Sequence, residues 1–285
     1  MLEKAFAKIN LGLDIVGKRS DGYHEVNMVM QSIALADEIE LLPAEKISVT
    51  TDQADIPDGP ENLAWKAAML LSEKYGHKPN VQIRIRKRIF AAAGLAGGSA
   101  DAAAVLRGLN RFWHLGLSQE KLETLAAELG SDVPFCIRGG TAAATGRGEI
   151  LEPLPDMPET WLVLAKPKVS VSTAWAYQNF RNENITKRPD IDAMKTAIKN
   201  SDKQSIIDCM GNVLESVTAK THQQIDTIKE VMMANGAEIS LMSGSGPTVF
   251  CFVDSEDRGE HIAAILREKF AIDIELTKTL RRNEL

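Results

Sequence analysis

Apolar and polar positions alternate through the first 50 residues. Ile9, Leu11, Leu13 and Ile15 are separated by Asn10, Gly12 and Asp14, the period of a half-buried strand. The stretch KRSDGYHE interrupts it, with Asp21-Gly22 as the turn signal. A long strand pattern runs from Val26 to about Leu35 and a further one from Ile39 to Leu42, before a loop rich in proline and aspartate, QADIPDGPEN. Helical period starts at Asn62: Leu63, Ala67, Leu70 and Leu71 share a face, and Gly76 is placed to end that helix. Val81, Ile83 and Ile85 then alternate with Gln82, Arg84 and Arg86 as another strand.

A glycine-rich loop follows, leading into a helix over residues 100–112, and Ser118 is placed to cap a third helix that ends at Gly130. GGTAAATGRGEI returns to extended structure. EPLPDMPET, with three prolines in nine residues, is read as a boundary between a domain of residues 1–155 and one of residues 156–285. Beyond it the pattern predicts a short buried strand at WLVLAKP, helices near 190–220 and 222–235, and a strand Glu238–Met242. The loop SGSGP, a strand Thr248–Val253, a helix near 256–269 and a last strand near 272–277 complete the chain. Strands and helices mixed in both halves indicate an α+β protein of two layers.

Composition narrows the function classes. The 285 residues are 44% hydrophobic and 25% charged, the balance of a soluble globular protein. A net charge of -6 argues against nucleic acid as the main partner. No apolar run approaches the roughly 20 residues that span a bilayer. MLEKAFAKIN has no apolar signal core after its charges, so a mature, cytoplasmic chain is expected, with no membrane partner. Cys136, Cys209 and Cys251 lie far apart without paired spacing and are expected to be buried free thiols.

The chemistry concentrates at AAAGLAGGSADAAAVLRGLN, residues 91–110. A helix N-terminus carries unpaired N–H groups and a partial positive charge, and Gly94, Gly97, Gly98 and Ser99 have the composition of a phosphate cradle. Taken alone, the same loop serves equally as a tight strand-to-helix turn. It lacks the Lys-Ser or Lys-Thr pair of a Walker loop and the glycine spacing of a dinucleotide fingerprint. An anion bound here would require Asp101 to point away from it or to face a magnesium ion.

Two other clusters accompany this loop: AFAKINLGLDIVGKRSDGYHEV, residues 5–26, and LMSGSGPTVF, residues 241–250. The three together, in this order and spacing, resemble the three motifs of the GHMP kinases, a superfamily that includes galactokinase and the homoserine, mevalonate and phosphomevalonate kinases. Within it, AKINLGLDI, RSDGYHE, GSDVPFCIRGGTAAATGRGE and GNVLESVT most resemble the branch that acts on 4-diphosphocytidyl-2-C-methyl-D-erythritol. The implied fold has a ribosomal-protein-S5-domain-2-like N-terminal domain, a ferredoxin-like C-terminal domain and a site in the cleft between them. The implied reaction is ATP- and Mg2+-dependent phosphorylation of the substrate's 2-hydroxyl, a step of the non-mevalonate isoprenoid pathway. In two places the chain departs from the family pattern: Phe90 stands where a proline usually opens the second motif, and Ala100 where a second serine usually follows the first.

The resemblance implies Asp132 as the catalytic base and Lys8 as its partner. Without it, Lys8 is equally a solvated lysine beside a strand and Asp132 a turn residue or a cap before Pro134. Gly94, Leu95, Ala96, Gly97, Gly98 and Ser99 would bind ATP. Asn62 and Lys87 are further candidates on that side, with a helix cap and an exposed strand charge as their plain alternatives. Ser99 is a possible Mg2+ contact, and no metal ligand is assigned outright. Tyr23 would stack on the cytosine and His24 bond its edge, with Thr173 and Tyr177 lining the other side and Asn10 meeting the diphosphate or hydroxyls. The SGSGP loop is expected to support the phosphate loop. The implied partner is a small-molecule cytidine diphosphate substrate, and the chain is expected to be a monomer or weak homodimer. The rival readings are a kinase of another small alcohol, of mevalonate or homoserine type, and a catalytically weak ligand-binding member.

Overall fold

The computed structural model describes residues 1–284. The chain opens with a long hairpin in which β1 (Leu2–Lys18) pairs antiparallel with β2 (His24–Pro43). The expected break in the second strand is absent. Ile33, Leu35, Ile39 and Leu41 keep one parity and all are buried, so a single strand carries the pattern across Asp37. Nor is β1 only half-buried, since residues 7–13 are buried on both faces. The reason is a second covering layer: a side chain at Gly12 would meet Ile191, Met194 and Pro189 from the later part of the chain.

β3 (Ser48–Thr51) and β4 (Val81–Arg86) extend this sheet beyond β2, and α1 (Leu63–Tyr75) lies between them in sequence. Asn62 caps α1 by accepting from the Ala64 N–H at 2.8 Å, and Gly76 ends it in the left-handed conformation. α2 (Gly97–Phe112) starts three residues before the expected position, inside the glycine loop itself. Its alanine-rich stretch, Ala102, Ala103, Ala104 and Val105, is buried all round the helix. Small side chains allow such a helix to approach the sheet and α1 closely. α3 (Gln119–Ala126), capped by Ser118, and α4 (Val133–Arg138) follow, and then β5 (Thr141–Thr145) and β6 (Ile150–Pro153) form a hairpin against β2.

β7 (Trp161–Lys166) begins a second sheet and is buried, as its continuous apolar run implies. α5 (Thr173–Asn179) comes next. The single helix expected near 190–220 is three, α6 (Ile191–Lys199), α7 (Lys203–Cys209) and α8 (Glu215–Thr221), with β8 (Gly211–Asn212) between the last two. Asp202 caps α7 through the Ser205 N–H at 3.1 Å, which divides the helical pattern there. β8 pairs with β1, so this part of the chain returns to the first sheet. α9 (Gln224–Ala234), β9 (Ile239–Met242), β10 (Val249–Val253), α10 (Glu256–Lys269) and β11 (Asp273–Lys278) complete the fold.

Among the described residues, one sheet has seven strands, with the path β3-β4-β2-β1-β8, and the other has four, ordered β11-β7-β10-β9. The architecture is α+β, and the two sheets organise two apolar cores. Cys136, Cys209 and Cys251 are free thiols, but only Cys251 is fully buried; the other two are partly exposed. No helix among the described residues is long and apolar enough to cross a membrane.

Candidate active site

A cavity of about 950 Å³ opens where the β1–β2 hairpin, the glycine loop, the start of α4, α5 and the SGSGP loop meet. That volume is at the upper end for a small-molecule site. Lys8 and Asn10 reach it from one face of β1, as residues two apart on a strand do. Their side chains meet: Lys8 Nζ donates to Asn10 Oδ1 at 2.7 Å. The same ammonium lies 3.6 Å from Asp132 Oδ2, which closes a sequence separation that spacing alone left open. Lys8 is 4% exposed and Asp132 33%, so the buried cation holds a carboxylate that still faces the cavity. Asp132 precedes α4 without capping it through its side chain, which removes the plain reading of this residue as a cap.

The phosphate-loop candidates lie against β1 and reach the same cavity. Gly94, Ala96, Gly97, Gly98 and Ser99 line it, and the first-turn N–H groups of α2 have no acceptor within the helix. No side chain caps this helix, so those donors remain available to an anion. Leu95 is a correction: its side chain is fully buried in the core, and it contributes its carbonyl, which accepts the Lys8 N–H at 3.2 Å. Two alanines in the loop adopt the left-handed conformation, Ala92 at φ 48° and Ala96 at φ 59°. Their strain is a feature that composition gave no reason to suspect.

Lys87 is also corrected from the plain reading of an exposed strand charge. It is 9% exposed, and its ammonium bridges Asp37 Oδ2 at 2.5 Å and Asp101 Oδ2 at 2.8 Å. Burial opposes its charge, but the two carboxylates raise its pKa above the usual lysine value. Burial likewise pushes Asp101 up to about 7, against the pull of Lys87, and its Oδ1 has no hydrogen-bond partner. Asp101 therefore turns toward Lys87. Asp37 went unnoticed in the sequence, although the signal was present: it occupies an inward position of β2, in parity with Leu35 and Ile39. Its Oδ1 accepts from the Arg88 N–H at 2.5 Å and the Ile89 N–H at 2.8 Å. These bonds hold the chain just before Phe90, where the missing proline left the turn without its expected restraint. Ala100 is 1% exposed on the packed face of α2, so the absent hydroxyl falls in the core and away from the cavity.

Asn62 lines the cavity with its side chain committed, as the cap of α1 and as a donor to the Pro57 carbonyl at 2.7 Å. The SGSGP loop closes the floor. Ser243 Oγ donates to the Gly94 carbonyl at 3.0 Å, and a Cβ at Gly94 would run into the Ser243 carbonyl oxygen. Gly94, at φ 76°, is thus required by both its conformation and its neighbour.

Tyr23, His24, Thr173 and Tyr177 form the remaining wall. The His24 and Tyr177 rings are 5.5 Å apart, and Phe180 meets His24 edge-on at 6.4 Å. Burial, then the charge of Lys18, lowers the His24 pKa and so favours the neutral ring, which can both donate and accept. Burial and the nearby Asp132 charge raise the Tyr177 pKa. Tyr23 is 56% exposed, an apolar ring available to a ligand. Thr173 Oγ1 lies 3.0 Å from Ser245 Oγ, joining α5 to the third motif.

A carboxylate paired with a buried ammonium, beside a helix N-terminus able to hold an anion, defines the class of a small-molecule phosphotransferase. Two family models match: the GHMP kinases N terminal domain over residues 62–140 and the GHMP kinases C terminal region over residues 194–272. The chain belongs to the GHMP kinase family. It is 52% identical over 264 residues to the 4-diphosphocytidyl-2-C-methyl-D-erythritol kinase of Bacillus cytotoxicus, covering 92% of this chain and 91% of that one. The enzyme of the same name from Geobacillus thermodenitrificans is 52% identical over 267 residues, or 93% of this chain and 92% of that one. A crystal structure of 4-(cytidine 5'-diphospho)-2C-methyl-D-erythritol kinase superposes with a TM-score of 0.83 at 32% identity, over 98% of this chain and 99% of that one. The homoserine kinase of Cytophaga hutchinsonii, at a TM-score of 0.75 and 17% identity over 98% and 95%, shares the fold.

Proposed function

We propose that the protein transfers the γ-phosphoryl group of ATP to the 2-hydroxyl of 4-diphosphocytidyl-2-C-methyl-D-erythritol. The observation that carries this reading is the 52% identity to a kinase of that name over 92% of the chain. The homoserine and mevalonate kinases match at far lower identity and bear on the fold alone, so neither rival acceptor is favoured.

In this reading the first turn of α2 and the glycine backbone bind the ATP phosphates, while Asn62 and Lys87 support the nucleotide side. Among the described residues no three acidic, histidine or cysteine side chains gather to hold a metal ion. A Mg2+ ion would enter on the nucleotide, with the Ser99 hydroxyl as the protein group that could contact it. Bound there, it supplies neutralisation of the phosphate charge. Asp132 takes the proton of the 2-hydroxyl as that oxygen attacks the γ-phosphorus and the bond to the leaving ADP breaks. Lys8, 3.6 Å from Asp132, pairs with its carboxylate and steadies the incoming negative charge. A direct displacement of this kind requires no phospho-enzyme. Tyr23, His24 and Tyr177 select the cytosine, Thr173 lines that wall, and Asn10 contacts the substrate beside the reacting hydroxyl.

The same proposal divides the chain into an ATP-binding domain of residues 1–155 and a C-terminal domain of residues 156–285. It takes the protein as a cytoplasmic monomer or weak homodimer that needs no nucleic acid or membrane. A coupled assay of ADP release tests the reaction. Turnover is expected with 4-diphosphocytidyl-2-C-methyl-D-erythritol and not with mevalonate or homoserine. Absence of substrate-dependent ADP from folded protein overturns the proposal.

A further inference from the structure

The substrate just proposed carries a diphosphate, and the charges around the cavity leave an unexpected shortage of cations to meet it. Lys8, Lys87 and Arg147 are the lysines and arginines that line the cavity among the described residues. Against them stand four carboxylates on the same walls, Asp21, Glu61, Asp101 and Asp132. Lys8 is committed to Asn10 and Asp132. Lys87 is committed to Asp37 and Asp101, a cluster that keeps a net negative charge when both carboxylates are ionised. Asn10 is neutral, and its Oδ1 is already occupied by Lys8.

Arg147 differs from both lysines. It sits in the turn between β5 and β6, and that turn is tied to the start of β2. Gly146 N–H donates to Glu25 Oε1 at 2.9 Å, and Val26 N–H donates to the Gly146 carbonyl at 2.9 Å. The guanidinium carbon lies 5.1 Å from the centroid of the Tyr23 ring. Its Nε faces Glu149 Oε1 at a loose 3.5 Å, and its two terminal amino groups make no hydrogen bond among the described residues. A planar fork of donors is therefore held on the wall that carries Tyr23 and His24, with its outer nitrogens open. Such a fork suits the paired oxygens of a phosphate better than a lysine does.

Resting on the function proposed above, we infer that Arg147 is the cationic contact for the diphosphate of the cytidine substrate. Its stacking on Tyr23 fixes it beside the nucleoside. The residue binds and positions substrate and takes no part in proton transfer.

Calorimetric titration of wild type, Arg147→Gln and Arg147→Lys with CDP and with cytidine tests this inference. Wild type is expected to prefer CDP over cytidine by about tenfold or more, the scale of one charge-assisted contact. In Arg147→Gln that preference collapses while cytidine affinity changes by less than about twofold, and Arg147→Lys retains most of it. In turnover, KM for the full substrate rises about tenfold in Arg147→Gln with kcat and the KM for ATP little changed. An intact CDP preference in Arg147→Gln overturns the inference. Equal weakening of CDP and cytidine also overturns it, because Arg147 then acts only through the Tyr23 ring. If wild type binds neither compound, the cytidine reading itself has failed and the inference falls with it.

Discussion

Replacing Asp37 with alanine isolates the group that anchors the entry to the phosphate loop. The carboxylate accepts three hydrogen bonds, from the Arg88 and Ile89 N–H groups and from the Lys87 ammonium, and it is 0% exposed. Its removal leaves two backbone donors unpaired, at about 1–3 kcal/mol each where they stay dry. It also takes one of two partners from a buried ammonium, a change worth about 3–5 kcal/mol when a pair is broken outright. Asp101 remains beside Lys87, and some water enters the space, so the whole loss is expected near 4 kcal/mol. Thermal melting should then fall by roughly 2–4 °C for each kcal/mol. Urea denaturation measures the free energy directly. Asp37→Asn, which keeps an acceptor, should lose less than Asp37→Ala. Combined with Lys87→Met, Asp37→Asn should cost less than the sum of the single changes, because the two residues meet. A loss below about 1 kcal/mol for Asp37→Ala, or strict additivity with Lys87→Met, would refute the anchoring role.

Two further perturbations address the loop and its helix. Ala96 occupies the left-handed region at φ 59°, at a cost of about 1–2 kcal/mol for an alanine, while glycine loses about 0.4–1 kcal/mol through its freer unfolded chain. Ala96→Gly is therefore expected to raise the melting temperature slightly, and a clear fall would show that the alanine methyl group makes a contact worth more than the strain. Asp101 titrates near 7 in the folded protein against an ordinary 3.8, because burial outweighs the pull of Lys87. Between those values the folded chain retains a proton that the unfolded chain has released. The associated stability is complete below about pH 4 and is lost as the pH rises through 7. Asp101→Asn should flatten the pH dependence of the urea midpoint over that window, and parallel curves for variant and wild type would contradict the assignment.

Much of the fold was legible because one physical rule dominated locally. Alternation marked β4, an unbroken apolar run marked β10, and the pairing of Asn62 with Gly76 marked both ends of α1. The rule failed where a second layer overrode it. Residues 7–13 alternate in sequence yet are buried on both faces, since the later chain covers the outer side of β1. The helical region near 190–220 concealed a cap at Asp202 and the two-residue strand β8, whose pairing with β1 depends on residues some 200 positions away. In the site, Lys8 and Asp132 could be named from motifs, but their approach is a property of the fold. Asp37 was available from parity alone: a charge at an inward strand position requires a partner, and Lys87 is that partner. Arg147 carried no such mark, because only the cavity reveals which cations are already committed.

The most direct test of the central claim is the effect of Asp132→Asn on turnover and on ATP binding, measured in the same preparation. Asp132 is one-third exposed, does not cap α4 and meets only Lys8 through its side chain among the described residues, so the substitution should leave the fold intact. Loss of a general base costs about 10²–10⁴ in rate. A fall in kcat of that size, with ATP affinity within about twofold of wild type, is the expected result. Parallel loss of turnover and ATP binding, or retention of both, would contradict the assignment of Asp132 as the base that activates the substrate hydroxyl.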